Sequence, residues 1–367
     1  MKKMNDIRIP DLMTMKNGEK CDSVEQWESI RRPEILEDVT RILYGRYPGM
    51  PTKIDYLVIE HDSQAYGGIA IKETIRAVCY GPEGTFTFPL FLARPKNLKV
   101  CGAIVHVEGR PMTDEERQQY LPAGHPVTHH VEEKIVTSGF ASISYHKQDL
   151  DPETGWKDSI LSIFPEDTAP DACRVIGAWS MGGLIAMDYM ATHEGYDLSR
   201  TAIVGCSRLG KTALWVGVNE PRYQLVGLVE SGHGGAAMVR VTDGERCANM
   251  SQAFQWTCEN YKAFAGRDEE LPYDAHMLLS LIAPRALYVC SARDDYWCDP
   301  DAEFLSVKLA EEAYRLYGLQ GIALTEPPKD ELPDHGGRIG YHLRDGSHGF
   351  SDYDWQCFLA FARKQFG

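Results

Sequence analysis

The sequence predicts an α/β fold: a mostly parallel sheet covered by helices on both faces, entered through antiparallel strands. Three observations predict it. Beyond residue 100, short apolar runs alternate with longer segments of helical spacing. Strands separated by helices pair in parallel, because each helix returns the chain to the same edge. Before that point, residues 53–94 show strand-like alternation broken by a tight turn. Finally, 367 residues with 43% hydrophobic composition suffice for a large core without disulfide staples. That length corresponds to about two average domains. Because α/β folds of this size often form one body, 1–367 is expected to be a single domain, with an irregular lead-in over 1–22.

Ser23 is placed to cap a short helix, and Pro33 suits the first turn of a second that runs to about Tyr44. Trp27, Ile30, Ile35, Val39 and Ile42 fall near helical spacing, and Gly45 and Pro48 end the run. Ile54, Tyr56, Val58 and Glu60 begin a strand, and Ile69, Ile71, Thr74 and Ile75 mark another. The turn Gly81-Pro82-Glu83-Gly84 leads into a third at 86–91. Later strands are expected at 100–107, 140–145, 201–206, 225–229, 286–290 and 339–343. Helices are expected at about 171–193, 208–218, 301–317 and 352–365. The helix at 301 follows Asp299-Pro300 and stops before Gly318, which suits its caps. In such a sheet, ligands bind at the carboxyl ends of the strands.

Lys and Arg total 38 against 53 Asp and Glu, a net charge of −15. An acidic surface repels phosphate backbones and anionic lipid, which argues against nucleic-acid and membrane partners. No stretch approaches the length of a membrane-spanning helix. Behind Met1 lie two lysines but no apolar leader. A cytosolic protein is therefore expected, or a secreted one if a leader has been removed. The ten cysteines form no C-x-x-C pair, which argues against a zinc ribbon. They are expected to be reduced. Oligomeric state is left open.

The informative segment runs from Thr201 to Thr212, a short strand entering a tight turn and then a helix. Gly205, four residues, then Gly210-Lys211-Thr212 fit a phosphate-binding P-loop, with Asp294 or Asp295 as its acidic partner. The same turn fits a nucleophile elbow, which projects the Ser207 hydroxyl from the sheet edge beside helix N–H groups. The usual G-x-S-x-G is not met, because Leu209 stands where the second Gly would be. The order of Ser207, an acid in Glu230-Ser231-Gly232 and a base in Gly346-Ser347-His348 is that of the α/β-hydrolases. The plain alternative is that Ser207 only caps a helix. Upstream, Ala178-Trp179-Ser180-Met181-Gly182-Gly183 imitates an elbow. Its strand is too short, and the apolar residues Leu184, Met187 and Met190 continue at helical spacing, so Ser180 reads as structural.

Gly205-Cys206-Ser207-Arg208-Leu209-Gly210-Lys211 resembles the nucleophile motif of the glucuronoyl esterases, carbohydrate esterase family 15. Glu230 to Ala237 resembles the segment carrying that family's acid. Asp295-Tyr296-Trp297 with Asp299-Pro300 resembles its Trp-bearing loop, and Leu281 to Arg285 and Gly346-Ser347-His348 also match. The resemblance runs from about Trp27 to the C-terminus, is densest after 172, and is closer to the bacterial branch. Several ordered motifs outweigh the single P-loop pattern.

The resemblance implies an α/β-hydrolase three-layer sandwich and a serine mechanism without metal or cofactor. Ser207 would be the nucleophile, His348 the base and then the acid, and Glu230 the orienting carboxylate, with Asp295 in reserve. Arg208 would stabilise the oxyanion. Lys211 and Glu245 resemble residues that hold sugar hydroxyls, and Trp297 resembles the aromatic that contacts the uronate. Plainer roles would be a solvated charge for Glu245 and a core aromatic for Trp297. The fungal disulfide partners do not carry over: Gly349 follows His348, and Met238 occupies another cysteine position. The stretch 103–131, with His106, Arg110, His129 and His130, resembles the family least and is a candidate pocket wall. His129-His130 reads as a loop pair, not a metal site.

The expected activity is hydrolysis of esters of glucuronic or 4-O-methylglucuronic acid, such as those that link xylan to lignin alcohols. In a cytosolic enzyme, small imported esters would be the substrates. An acetylxylan-type deacetylase on the same residues is the second reading, a P-loop nucleotide-binding protein a remote third, and a non-catalytic sugar-binding relative the last.

Overall fold

A computed structural model describes residues 7–113, 130–253 and 255–367. Nine strands form one sheet in the order β1-β2-β3-β5-β4-β6-β7-β8-β9. The first three are β1 (Lys53–Gln64), β2 (Ala70–Gly81) and β3 (Gly84–Pro95), paired antiparallel. The remainder are β4 (Cys101–Glu108), β5 (Ala141–His146), β6 (Tyr196–Cys206), β7 (Leu225–Val229), β8 (Ala286–Ala292) and β9 (Ile339–Arg344). They pair in parallel with one another, and β3 joins them by an antiparallel seam to β5. This is the expected mixed sheet.

Four long helices cover it: α1 (Val175–Thr192), α2 (Arg208–Asn219), α3 (Pro300–Leu316) and α4 (Asp352–Phe366). Strand alternation sorts the core into two layers. Ile203, Val226, Leu228, Leu287 and Val289 pack on the side of α1, α2 and α3. Val204, Leu225, Val229, Ala286 and Cys290 pack against Trp355, Phe358 and Phe361 of α4. Gly227 faces the same way, and a Cβ there would lie 2.6 Å from Phe358.

Two segments differ from expectation. Helical turns run without a break from Val24 to Tyr44, with π-turns at Trp27–Arg31 and Thr40–Tyr44. Ser23 caps them by accepting the Gln26 N–H. Pro33 has no N–H to donate, and a widened turn just before it accommodates the loss. The lead-in is irregular but docked: Leu12, Met15 and Cys21 are buried, and Arg31 donates to the Leu12 carbonyl at 2.7 Å. All ten cysteines are free thiols. Among the described residues, no helix is long and apolar enough to cross a membrane.

Candidate active site

The site is built where the parallel strands end. Ser207 follows β6, Glu230 follows β7, Asp295 follows β8 by three residues and His348 follows β9 by four. Because β6, β7, β8 and β9 are successive neighbours in the sheet, residues far apart in sequence meet at one edge.

Ser207 has φ 59° and ψ −130°, a conformation side chains rarely adopt, and its N–H donates to the Val229 carbonyl at 2.8 Å. Backbone strain of this kind clusters at functional positions. Its side chain makes no capping hydrogen bond to α2, so the helix-cap alternative does not hold. The turn closes because Gly205 lets the chain fold back: a Cβ there would lie 2.2 Å from the Leu209 carbonyl oxygen. Gly210, not residue 209, allows the close approach of the segment that follows β7, where its Cβ would sit 2.9 Å from Ser231. Gly205→Ala is therefore expected to cost ~1–3 kcal/mol, read as a lower urea midpoint. An unchanged midpoint would mean that the turn relaxes freely.

His348 Nδ1 lies 2.6 Å from Asp295 Oδ2 and 3.2 Å from Glu230 Oε2. The carboxylate expected first, Glu230, is the farther of the two, and the reserve, Asp295, is the nearer. Burial pulls the imidazole down, but the hydrogen bonds to Asp295 and Glu230 win and raise its pKa to about 9. Glu230 is fully buried, and burial raises its pKa to about 7 despite the bonds from His348 and the charge of Arg344. Burial, the largest single influence, raises Asp295 too, but the bond and charge of His348 together with the bonds from Cys298 outweigh it and lower its pKa. Asp295 also accepts the Cys298 N–H at 3.1 Å. Asp295, Cys298 and His348 come close enough to share an ion. Burial pushes the Cys298 thiol well above its usual pKa.

Arg208 opens α2, so its N–H has no intrahelical acceptor. Its guanidinium stacks on Trp256 at 4.8 Å and lies 3.7 Å from Glu153. Lys211 is buried, and its ammonium donates to Glu245 at 2.6 Å and to the Ser231 carbonyl at 2.8 Å. The Thr212 hydroxyl donates to the Arg208 carbonyl. Both groups a P-loop needs for phosphate and metal are thus turned inward. Glu245 is buried rather than solvated, and its N–H donates to the Trp297 carbonyl at 2.9 Å. Trp297 is 53% exposed and Tyr296 77%, so Trp297 is not a core residue. Ser180 lies inside α1, buried, donating to the Ile176 carbonyl.

The stretch 103–131 divides. His106 lies within β4, bonded to Glu108 and Ser142 in the core rather than in a pocket wall. Arg110 pairs with Asp149, and His130 precedes a helix at Val131–Thr137. His129 falls outside the described residues.

Three contributors escaped sequence reasoning. Glu303, fully buried on α3, accepts the N–H groups of Ser231 and Gly232 at 2.8 and 3.0 Å. Burial raises its pKa to about 8. In sequence it reads as one of the acids usual at a helix start. Glu153, under Arg208, gave no pattern. Arg344 ends β9 and bonds Glu230 at 2.5 Å. The signal for it was a charge closing an apolar strand four residues before His348.

A model of the family "Glucuronyl esterase, fungi" matches residues 117–318, more than half of the chain. A carbohydrate esterase, MZ0003, of an unknown prokaryotic organism is 29% identical, over 96% of this chain and 88% of its own length. A 4-O-methyl-glucuronoyl methylesterase of Thermothelomyces thermophilus is 25% identical, over 93% and 82%. The solved glucuronoyl esterase of Solibacter usitatus is 30% identical, with a TM-score of 0.86 covering 99% of this chain and all of that one. These relatives correct the cytosolic expectation, since the fungal methylesterases among them are secreted carbohydrate-active enzymes. Two lysines without an apolar leader carry no weight against such a location. The motifs, the fold and the relatives agree: the chain belongs to the glucuronoyl esterases of carbohydrate esterase family 15 and is a carboxylic ester hydrolase.

Proposed function

We propose that the protein hydrolyses esters of glucuronic and 4-O-methylglucuronic acid through an acyl-enzyme on Ser207. The observation that carries the reading is the shared sheet edge. It holds a serine in a strained elbow, not spent on helix capping, together with a histidine hydrogen-bonded by carboxylates.

His348 takes the Ser207 proton as the oxygen attacks the ester carbonyl, and returns it to the departing alcohol. Water then repeats the sequence and releases the uronic acid. Asp295 is the nearer orienting acid, and Glu230 adds a second negative charge beside the developing imidazolium. The Arg208 N–H at the helix start, with its guanidinium behind, stabilises the oxyanion, where one such donor is typically worth ~2.7–4 kcal/mol. Lys211 and Glu245 hold sugar hydroxyls as a preformed ion pair, and among the described residues two of the three Lys211 N–H donors are engaged. The exposed Trp297 ring covers a sugar face. We propose further that 1–367 acts as one domain.

The test is initial rates on a benzyl glucuronate ester beside acetylated xylo-oligosaccharides, with Ser207→Ala as control. Preference for the uronate ester supports the proposal. Preference for the acetyl ester keeps the machinery and reassigns the pocket to deacetylation. Lys211→Met should raise KM for the uronate ester about tenfold more than for an aryl acetate. Equal changes on both substrates would remove Lys211 from sugar binding.

A further inference from the structure

We propose that Arg344 is a positioning residue for His348: it keeps Glu230 ionised behind the imidazole and shapes the turn that carries it. The proposal rests on the esterase reading above and deepens it.

One guanidinium joins Glu230, the turn that carries His348 and the start of α4. Its Nη2 donates to Glu230 Oε1 at 2.5 Å, to the Ser347 carbonyl at 2.9 Å and to the Gly349 carbonyl at 2.8 Å. Those two carbonyls flank His348 in the chain. Its Nε donates to both oxygens of Asp354, at 3.1 and 3.0 Å, in the first turn of α4. Asp354 is anchored in turn by His342 at 2.8 Å and by the Ser351 N–H at 2.6 Å. The other oxygen of Glu230 accepts the Gly349 N–H at 2.7 Å. Acid, turn and helix are thus tied through one side chain. Lysine lacks the planar fork needed to reach them together.

Glu230 has no exposure, and a buried carboxylate without a counter-charge takes up a proton. The neighbouring buried acid Glu303 adds to the difficulty, because the two carboxylates repel each other. His348 neutralises Glu230 while protonated, yet the attack step requires His348 to be neutral. Among the described residues Arg344 is then the one cation in contact with Glu230. Its charge then opposes the pull of burial on Glu230, so that at the alkaline pH where His348 is neutral Glu230 carries the charge that stabilises the imidazolium as it forms.

The experiment is steady-state hydrolysis of the benzyl glucuronate ester by Arg344→Met, Arg344→Lys, Glu230→Gln and the double variant Arg344→Met/Glu230→Gln. Thermal unfolding is followed for each. Arg344→Met should lose on the order of 100-fold in kcat with KM within about threefold, a loss confined to the transition state. Arg344→Lys should recover about tenfold by restoring charge without the fork. The double variant should be no worse than Arg344→Met within about threefold, because Glu230 has already lost its charge there. Multiplying losses in the double variant, with no recovery by Lys, would overturn the proposal and leave Arg344 a structural residue. If Arg344→Met does not fold, the cycle of Arg344→Lys with Glu230→Gln poses the same question. A wild-type protein without Ser207-dependent turnover would sink the esterase reading itself. Full turnover with wild-type kcat in the Arg344 variants would sink only this proposal.

Discussion

Ser207→Ala should remove ester turnover, a loss on the order of 10⁶-fold in kcat by analogy with other serine hydrolases, while the protein unfolds at the same temperature. The chemical half follows from the hydroxyl being the only atom removed, at the carboxyl edge of β6. The stability half follows because the hydroxyl does not cap α2, and Ala inherits the same φ of 59° with the same strain. A change within about 0.5 kcal/mol is expected for a side chain with no such structural duty. Active-site titration with a serine-directed phosphonate supplies the direct check: one equivalent should label the wild type and none the variant. Unchanged turnover in Ser207→Ala would end the serine mechanism.

The second large effect concerns the pair of carboxylates. His348 must be neutral to accept a proton, and its two acidic neighbours hold its pKa at about 9, above the ordinary histidine value. The kcat/KM profile should therefore climb with pH along a limb displaced to the alkaline side. Asp295→Asn removes the shorter hydrogen bond and a charge, so the imidazolium is less favoured, its pKa falls and the limb moves to lower pH. Glu230→Gln moves it in the same direction. Each single variant keeps one carboxylate on His348, so a loss of roughly 10–100-fold is expected, whereas removing both should approach the ~10⁴-fold seen when a triad acid is neutralised. A limb that stays in place in both variants would show that neither acid governs His348. A full loss from one substitution alone would identify that residue as the working acid.

Much of the fold was legible because it depends on patterns within short windows. Leu225–Val229, apolar throughout, could only be a strand buried on both faces, and all five residues are buried. The cap at Asp299, with Pro300 behind it, placed the start of α3, and Asp299 does accept the Ala302 N–H. The polar half of β6 was not legible: Tyr196 to Arg200 carries no strand alternation and is extended because β4 pairs with it at Cys101. The helix at Val131–Thr137 was likewise missed, since its two acids and one lysine leave only a narrow apolar face. At the site, Ser207, His348 and both acids were visible as residues following strand ends.

By itself, then, the sequence determined the parallel sheet, the turn that makes Ser207 special and the set of groups gathered at the strand ends. All of these follow from local chain stiffness, apolar spacing and the order of motifs. Tertiary structure alone decided which carboxylate lies nearer His348, that Lys211 and Glu245 are an ion pair, that Trp297 faces solvent, and that Arg344 and Glu303 belong to the site. The physical reason is distance. Asp295 and Glu230 differ at His348 Nδ1 by a fraction of an ångström, and the packing of β7, β8, β9 and α3 against one another sets that difference.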